Sequence, residues 1–98
     1  MSVSALPAQA TFAGVNGRTA FRRFLDEERS TGAVFMINPV GTDERQITRP
    51  PIGFVDRNPD VSRTGRIAFE REGDNYDAIF VVNVDGSGLT QLTKQCAR

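Results

Sequence analysis

The fold is decided by a stretch near the end of the printed sequence, residues 80–93, which read FVVNVDGSGLTQLT. Residues 35–48 read FMINPVGTDERQIT and align with it without a gap, 45 positions earlier. Upstream, GRTAF at 17–21 aligns with GRIAF at 65–69, 48 positions apart. The two spacings differ because one connecting loop is longer in the first copy, and loops tolerate insertions. The sequence therefore contains one structural unit twice.

Each unit is predicted to form short strands separated by turns. The second unit shows four strands, at 54–62, 66–71, 78–83 and 89–93. In the second of these strands, Ile67 and Phe69 occupy alternate positions and so share one face of a sheet. No window of the sequence shows a helical stripe. The sequence therefore predicts an all-β protein.

Turn residues mark where these strands end. The glycines of Asp85-Gly86-Ser87-Gly88 supply the positive φ angles that a tight hairpin requires. Asn58-Pro59 interrupts the first strand of the second unit. Because proline cannot donate a ladder hydrogen bond, we expect this strand to start irregular and to straighten from Pro59.

Four strands in about 45 residues match one blade of a β-propeller. The predicted fold is two four-stranded antiparallel blades, and the innermost strand of the first, around 9–15, is barely visible in the sequence. The predicted organisation is an export-signal remnant or tail at 1–10, blade one at 11–48, blade two at 49–93 and a tail at 94–98. Two blades do not close a ring of about four to eight, so we expect two sheet faces to be left bare.

Residues 59–93 resemble the WD-like propeller repeat of the TolB family, and with the first copy the resemblance covers about four fifths of the chain. The shared landmarks are an Ile-Ala-Phe strand at 67–69, the Asp-Gly-Ser-Gly turn at 85–88 and a closing Leu-Thr at 92–93. Val61 stands where the family usually has Trp, and Arg63-Thr64 replace its Pro-Asp. The resemblance implies a periplasmic or extracellular location and a binding or scaffolding role. Ala8-Gln9-Ala10 has the form of a signal-peptidase site, which also favours export.

Composition excludes several functions. Lys and Arg total 12 and Asp and Glu total 12, so no global field favours nucleic acid. No apolar run approaches the roughly 20 residues that span a bilayer, and no membrane insertion is expected. The absence of histidine removes His-dependent triads and His-ligated zinc. Cys96 is the only cysteine, and it is either an incidental thiol or the site of an intermolecular bridge.

Arg57, Asn58 and Asp60 are the best candidates for ligand or partner contact, because the innermost strands of such propellers line a central channel. The alternative is that 56–60 forms a polar connection with local turn hydrogen bonds. Turns at 74–77 and 85–88 lack the spacing of a calcium-binding EF-hand. We therefore predict no catalytic residue, no metal site and no cofactor.

Two functional hypotheses follow. The first is a non-enzymatic TolB-like module that binds protein or ligand, with copies of the chain assembling into a closed ring in which a trimer of six blades is favoured over a tetramer. Another envelope protein is a further candidate partner. The second is an accessory propeller fragment of an exported peptidase or carbohydrate-active enzyme, whose missing blades lie in a larger parent.

Overall fold

The computed structural model describes residues 17–93, which form seven strands and no α-helix. The strands are β1 (Thr19–Phe24), β2 (Gly32–Ile37), β3 (Arg45–Gln46), β4 (Val55–Val61), β5 (Arg66–Gly73), β6 (Tyr76–Asn83) and β7 (Thr90–Gln91). They make one open mixed sheet in the order β1-β2-β4-β5-β6-β7, with β3 paired to β2. The all-β prediction is confirmed. The strand expected around 9–15, the Ala8-Gln9-Ala10 triplet and Cys96 lie outside the described residues.

One contact makes the sheet mixed. All paired strands are antiparallel except β2 and β4, which pair in parallel at Gly32 and Val55. The main-chain nitrogen of Gly32 also donates to the oxygen of Phe54 at 3.0 Å. A Cβ at Gly32 would lie 3.1 Å from Val55 Cγ1, so glycine permits this close approach. Pairing within each repeat is antiparallel, as predicted, and this parallel contact, which was not predicted, is where the second repeat joins the first.

A β-bulge interrupts β4. Pairing with β5 is regular from Val55 to Arg57, shifts register and resumes at Asp60. Asn58, inside the shift, has a φ of 55°, a left-handed conformation that asparagine tolerates better than most residues. Pro59 beside it has no N–H to contribute to a ladder. The predicted irregular start of this strand is therefore wrong, because the disruption at Asn58-Pro59 lies in the middle of the strand.

Three hydrogen bonds recur in the two repeats at the spacing seen in the sequence. A turn bond, a threonine hydroxyl that accepts from a strand amide, and a glutamine amide that donates two residues onward all recur 45 positions apart. In the first repeat they are Asn38 N to Thr42 O at 2.9 Å, Val34 N to Thr48 Oγ1 at 2.9 Å and Gln46 Nε2 to Thr48 O at 2.8 Å. In the second they are Asn83 N to Ser87 O at 2.9 Å, Ile79 N to Thr93 Oγ1 at 2.9 Å and Gln91 Nε2 to Thr93 O at 2.6 Å.

The turn glycines repeat in the same way. Gly41 and Gly86, 45 positions apart, have φ angles of 84° and 90°. These angles lie in the left-handed region that the turns were predicted to need. The internal repeat of the sequence is therefore also a repeat of local structure.

The main core lies between the two repeats. We call the face of each repeat that carries two stacked phenylalanines its front face, and the opposite face its back face. The back face of the first repeat consists of Ala20, Val34, Met36 and Ile47. It packs in one cluster with the front face of the second repeat, consisting of Val61, Ile67, Phe69, Ala78, Phe80 and Val82. Burial of these ten side chains joins the repeats into one folded unit.

The two outer faces differ in exposure. The front face of the first repeat, Phe21, Ala33, Phe35 and Ile37, forms a second buried cluster. The back face of the second repeat consists of Ala68, Ile79, Val81 and Leu92. On it, the exposed fraction is 37% for Ile79 and 60% for Leu92, although Val81 is buried. The expectation of two bare faces is therefore right for the second repeat and wrong for the first.

Candidate functional site

A buried ion pair joins β4 and β5 in the second repeat. Arg71 alternates with Ile67 and Phe69 on β5, so its side chain turns toward the core. Its Nε lies 2.7 Å from Oδ1 of Asp56 and its Nη2 lies 3.0 Å from Oδ2. Its guanidinium also lies 4.7 Å from the centre of the Phe80 ring. Because Asp56 is fully buried and both carboxylate oxygens are bonded to Arg71, this pair is structural.

The sequence contained a signal for this pair that the prediction missed. A charged residue at an inward position of an alternating strand needs a buried partner, because an isolated buried charge is very costly. Arg71 occupies such a position, after Ile67 and Phe69. Asp56 was considered only as part of a polar connection.

Arg57 and Asn58 meet on one carboxylate at the bulge. The Nε of Arg57 lies 3.3 Å from Oε1 of Glu70, and its Nη1 lies 2.7 Å from Oε1 of Glu72. The Nδ2 of Asn58 donates to the same Glu70 oxygen at 3.3 Å. Two of the three predicted site residues are therefore brought together, by an acidic residue that the prediction did not include. Glu70 and Glu72 could have been found from their spacing, since alternate residues of β5 share a face.

Asp60 lies beyond the bulge and faces solvent. It borders a shallow depression of 330 Å³ together with Ser62, Thr64 and Arg66. A second depression, of 170 Å³, lies between Asp60 and the side chains of Asn58, Glu70 and Ile79. The structure thus places Asp60 beside the other two predicted residues, without a direct bond to either among those described.

Glu70 is held in its charged form. A hydrogen bond with the carboxyl group of Asp77, followed by the hydrogen bond and charge of Arg57, lowers the pKa of Glu70 below its ordinary value. Glu70 and Glu72 both pair with Arg57, Asp77 interacts with Glu70, and Asp60 borders the same depression as Glu70. The cluster is therefore acidic overall, and it suits a partner that presents cations or hydrogen-bond donors.

Among residues 17–93 no group of three or more His, Cys, Asp or Glu side chains is arranged to hold a metal ion. Within the same range no helix is long and apolar enough to cross a membrane.

Comparison of the chain with family models, with curated proteins and with solved structures finds no match.

Proposed function

We propose that the chain is a TolB-like propeller module that acts by binding, and that its two repeats are two blades of a larger assembly. The observation that carries the proposal is the hydrogen-bond pattern that recurs at a spacing of 45 residues, the size of one blade. A repeat of this kind gains stability from its neighbours, because a single sheet cannot cover both of its own faces. The partly open back face of the second repeat is consistent with a further neighbour.

The acidic cluster on β4 and β5 supports binding rather than proton transfer. Glu70 accepts hydrogen bonds from Arg57 and Asn58, and its lowered pKa makes it a poor general acid at neutral pH. We assign the cluster, with Asp60 at its edge, to contact with a basic or hydrogen-bond-donating partner.

The proposed assembly is a closed ring of copies of the chain, with three copies supplying six blades. The proposed location is periplasmic or extracellular, on the basis of the family resemblance described above. Ring closure covers the sheet faces that a two-blade unit leaves without a neighbour.

Light scattering of the full chain over a range of concentrations tests this assembly. We expect the mass to rise from that of the 10.8 kDa chain to a plateau at three times this value. A plateau makes a closed ring distinguishable from open-ended growth, because a closed assembly has no free face left. A mass of one chain at every concentration would contradict the assembly.

A further inference from the structure

The free face of the second repeat is the counterpart of a face that the chain already buries. Ala68, Ile79, Val81 and Leu92 correspond, at spacings of 48, 45, 45 and 45, to Ala20, Val34, Met36 and Ile47. The earlier four are at most 5% exposed, because the front face of the second repeat covers them. The later four include Ile79 and Leu92, which are 37% and 60% exposed. The chain itself therefore shows what kind of surface fits this face.

The surface that covers the buried counterpart is the front face of the second repeat, which carries two aromatic rings and an arginine. On the front face of the second repeat, the rings of Phe69 and Phe80 stack with centroids 5.8 Å apart, and the Arg71 guanidinium lies 5.7 and 4.7 Å from their centres. The rest of this face consists of apolar residues, Val61, Ile67, Ala78 and Val82.

The front face of the first repeat shares the stacked phenylalanines and the arginine, but Thr19 takes the position of Ile67. Phe21 and Phe35 stack with centroids 6.0 Å apart, and the guanidinium of Arg23 lies 5.9 and 5.6 Å from the ring centres. Ala33 and Ile37 occupy the positions of the small and the branched residue. One chain therefore contains a partly open receptor face in its second repeat and, in its first repeat, a buried surface related to the one that covers such a face.

We propose that a second copy of this chain docks head to tail, with the front face of its first repeat on the back face of the second repeat. The proposal rests on the assembly proposed above and specifies which surfaces meet. The proposed contact follows the one within a single chain, where the back face of the first repeat packs on the front face of the second. Such a contact joins two different surfaces, so it leaves one free face of each kind at the ends of a pair.

Charge favours the same pairing. Arg23 borders the docking surface, and its side chain is 53% exposed. The receptor face is bordered by Asp60 and Glu70, and the position of Glu70 is taken by Arg22 on the equivalent face of the first repeat. The free face therefore differs from its buried counterpart by being acidic where an incoming arginine would approach.

Docking has a cost that the contact within the chain does not have. The four apolar side chains of the first-repeat front face are buried in the single chain, so this cluster must be uncovered first. The apparent affinity is reduced by the fraction of molecules in which the cluster is open. We therefore expect association to depend strongly on concentration.

Single substitutions test each surface separately. Leu92→Asp places a charge on the receptor face, and Arg23→Glu reverses the charge at the docking face. Each variant alone should associate at least tenfold more weakly than the unaltered chain in light scattering. Ile52→Asp, at a side chain that is 92% exposed and lies on neither face, is the matched control for the first change. Arg49→Glu is the exposed control for the second, and both controls should associate normally.

Mixing the two variants tests the direction of the contact. Leu92→Asp retains its docking face and Arg23→Glu retains its receptor face, so an equimolar mixture should form a pair of chains that grows no further. If both variants associate normally while the chain forms oligomers, this docking is refuted and the proposed assembly stands on other surfaces. Failure of the mixture to pair refutes the head-to-tail direction. A chain that stays single under every condition refutes both proposals.

Discussion

Arg71 and Arg23 occupy equivalent positions in the two repeats, 48 residues apart, and yet they are held differently. Arg71 is bonded to the fully buried Asp56 through both carboxylate oxygens. Arg23 is paired with Glu44 at 2.8 Å in an exposed position. Residues 1–25 contain no Asp or Glu, so none of them supplies Arg23 with a counterpart of Asp56. At the scale of single residues, the second repeat is therefore the more tightly fixed of the two.

The two ion pairs should differ in their contribution to stability. Asp56→Ala leaves Arg71 buried without its counter-ion, and we expect the free energy of unfolding to fall by about 3–5 kcal/mol. Glu44→Ala removes an exposed pair and should cost no more than about 1 kcal/mol. Urea denaturation of the variants measures both values.

The double variant Asp56→Leu with Arg71→Met controls for unfolding of the single one. It removes both charges and should recover much of the lost stability, because apolar side chains of similar volume can replace a buried pair. Equal losses for Asp56→Ala and Glu44→Ala would show that the buried pair is not a structural anchor.

At the scale of strands, the end of each repeat is fixed by a threonine. Thr48 and Thr93 each accept a hydrogen bond at 2.9 Å from the amide of a strand residue, Val34 and Ile79 respectively. Thr48 is buried, whereas Thr93 is exposed. The same hydrogen bond is therefore made once in a buried and once in an exposed environment. Comparing the two separates the effect of the bond on stability from the effect of burial.

Replacing each threonine with valine should reveal this difference. Thr48→Val leaves a buried amide without its acceptor, and we expect a loss of about 1–3 kcal/mol in the free energy of unfolding. At Thr93 water can replace the hydroxyl, so Thr93→Val should cost less. Hydrogen exchange at the Val34 and Ile79 amides, with denaturation of both variants, measures the effect. A larger loss at Thr93 would contradict this interpretation.

Local sequence patterns predicted where the strands lie better than they predicted which strands pair. The alternation of Ile67 and Phe69 and the apolar run at 78–83 correspond to β5 and β6, since side-chain period and turn glycines act over a few residues. The strand expected at 89–93 contains only Thr90–Gln91, although the amide of Leu92 also donates to the oxygen of Ile79 in β6 at 2.8 Å. The parallel pair of Gly32 with Val55 depends on residues distant in sequence, and no local pattern predicts it.

The candidate site was predicted in part for the same reason. Arg57, Asn58 and Asp60 were predicted from one strand, and in the structure Arg57 and Asn58 meet at its bulge while Asp60 lies just beyond it. Glu70, which accepts hydrogen bonds from two of them, comes from the neighbouring strand. Recognising it required the register between β4 and β5, and the shift at Asn58-Pro59 conceals that register in the sequence.

At the scale of the whole molecule, the two repeats share one core. The back face of the first repeat and the front face of the second form a single buried cluster. A change on one side should therefore be felt throughout the described part of the chain. Residues 17–93 are expected to unfold as one cooperative unit.

Val34→Ala tests this coupling. Val34 is fully buried on the first repeat, and removing its two methyl groups should cost roughly 2 kcal/mol. Tyr76, the only tyrosine, packs against the shared core from the second repeat and reports on that repeat by fluorescence. We expect its unfolding midpoint to shift together with the far-ultraviolet circular dichroism. A shift in the circular dichroism alone would show that the repeats unfold independently.

The bulge in β4 has a consequence for protection against aggregation. Among the described residues, 56–61 pair only with β5, although β4 lies between β2 and β5 in the sheet, so the side toward β2 has no ladder beyond Val55. Pro59 offers no N–H there, and the left-handed Asn58 prevents the flat backbone that amyloid-like stacking requires. This side of β4 is therefore a poor template for the addition of a foreign strand.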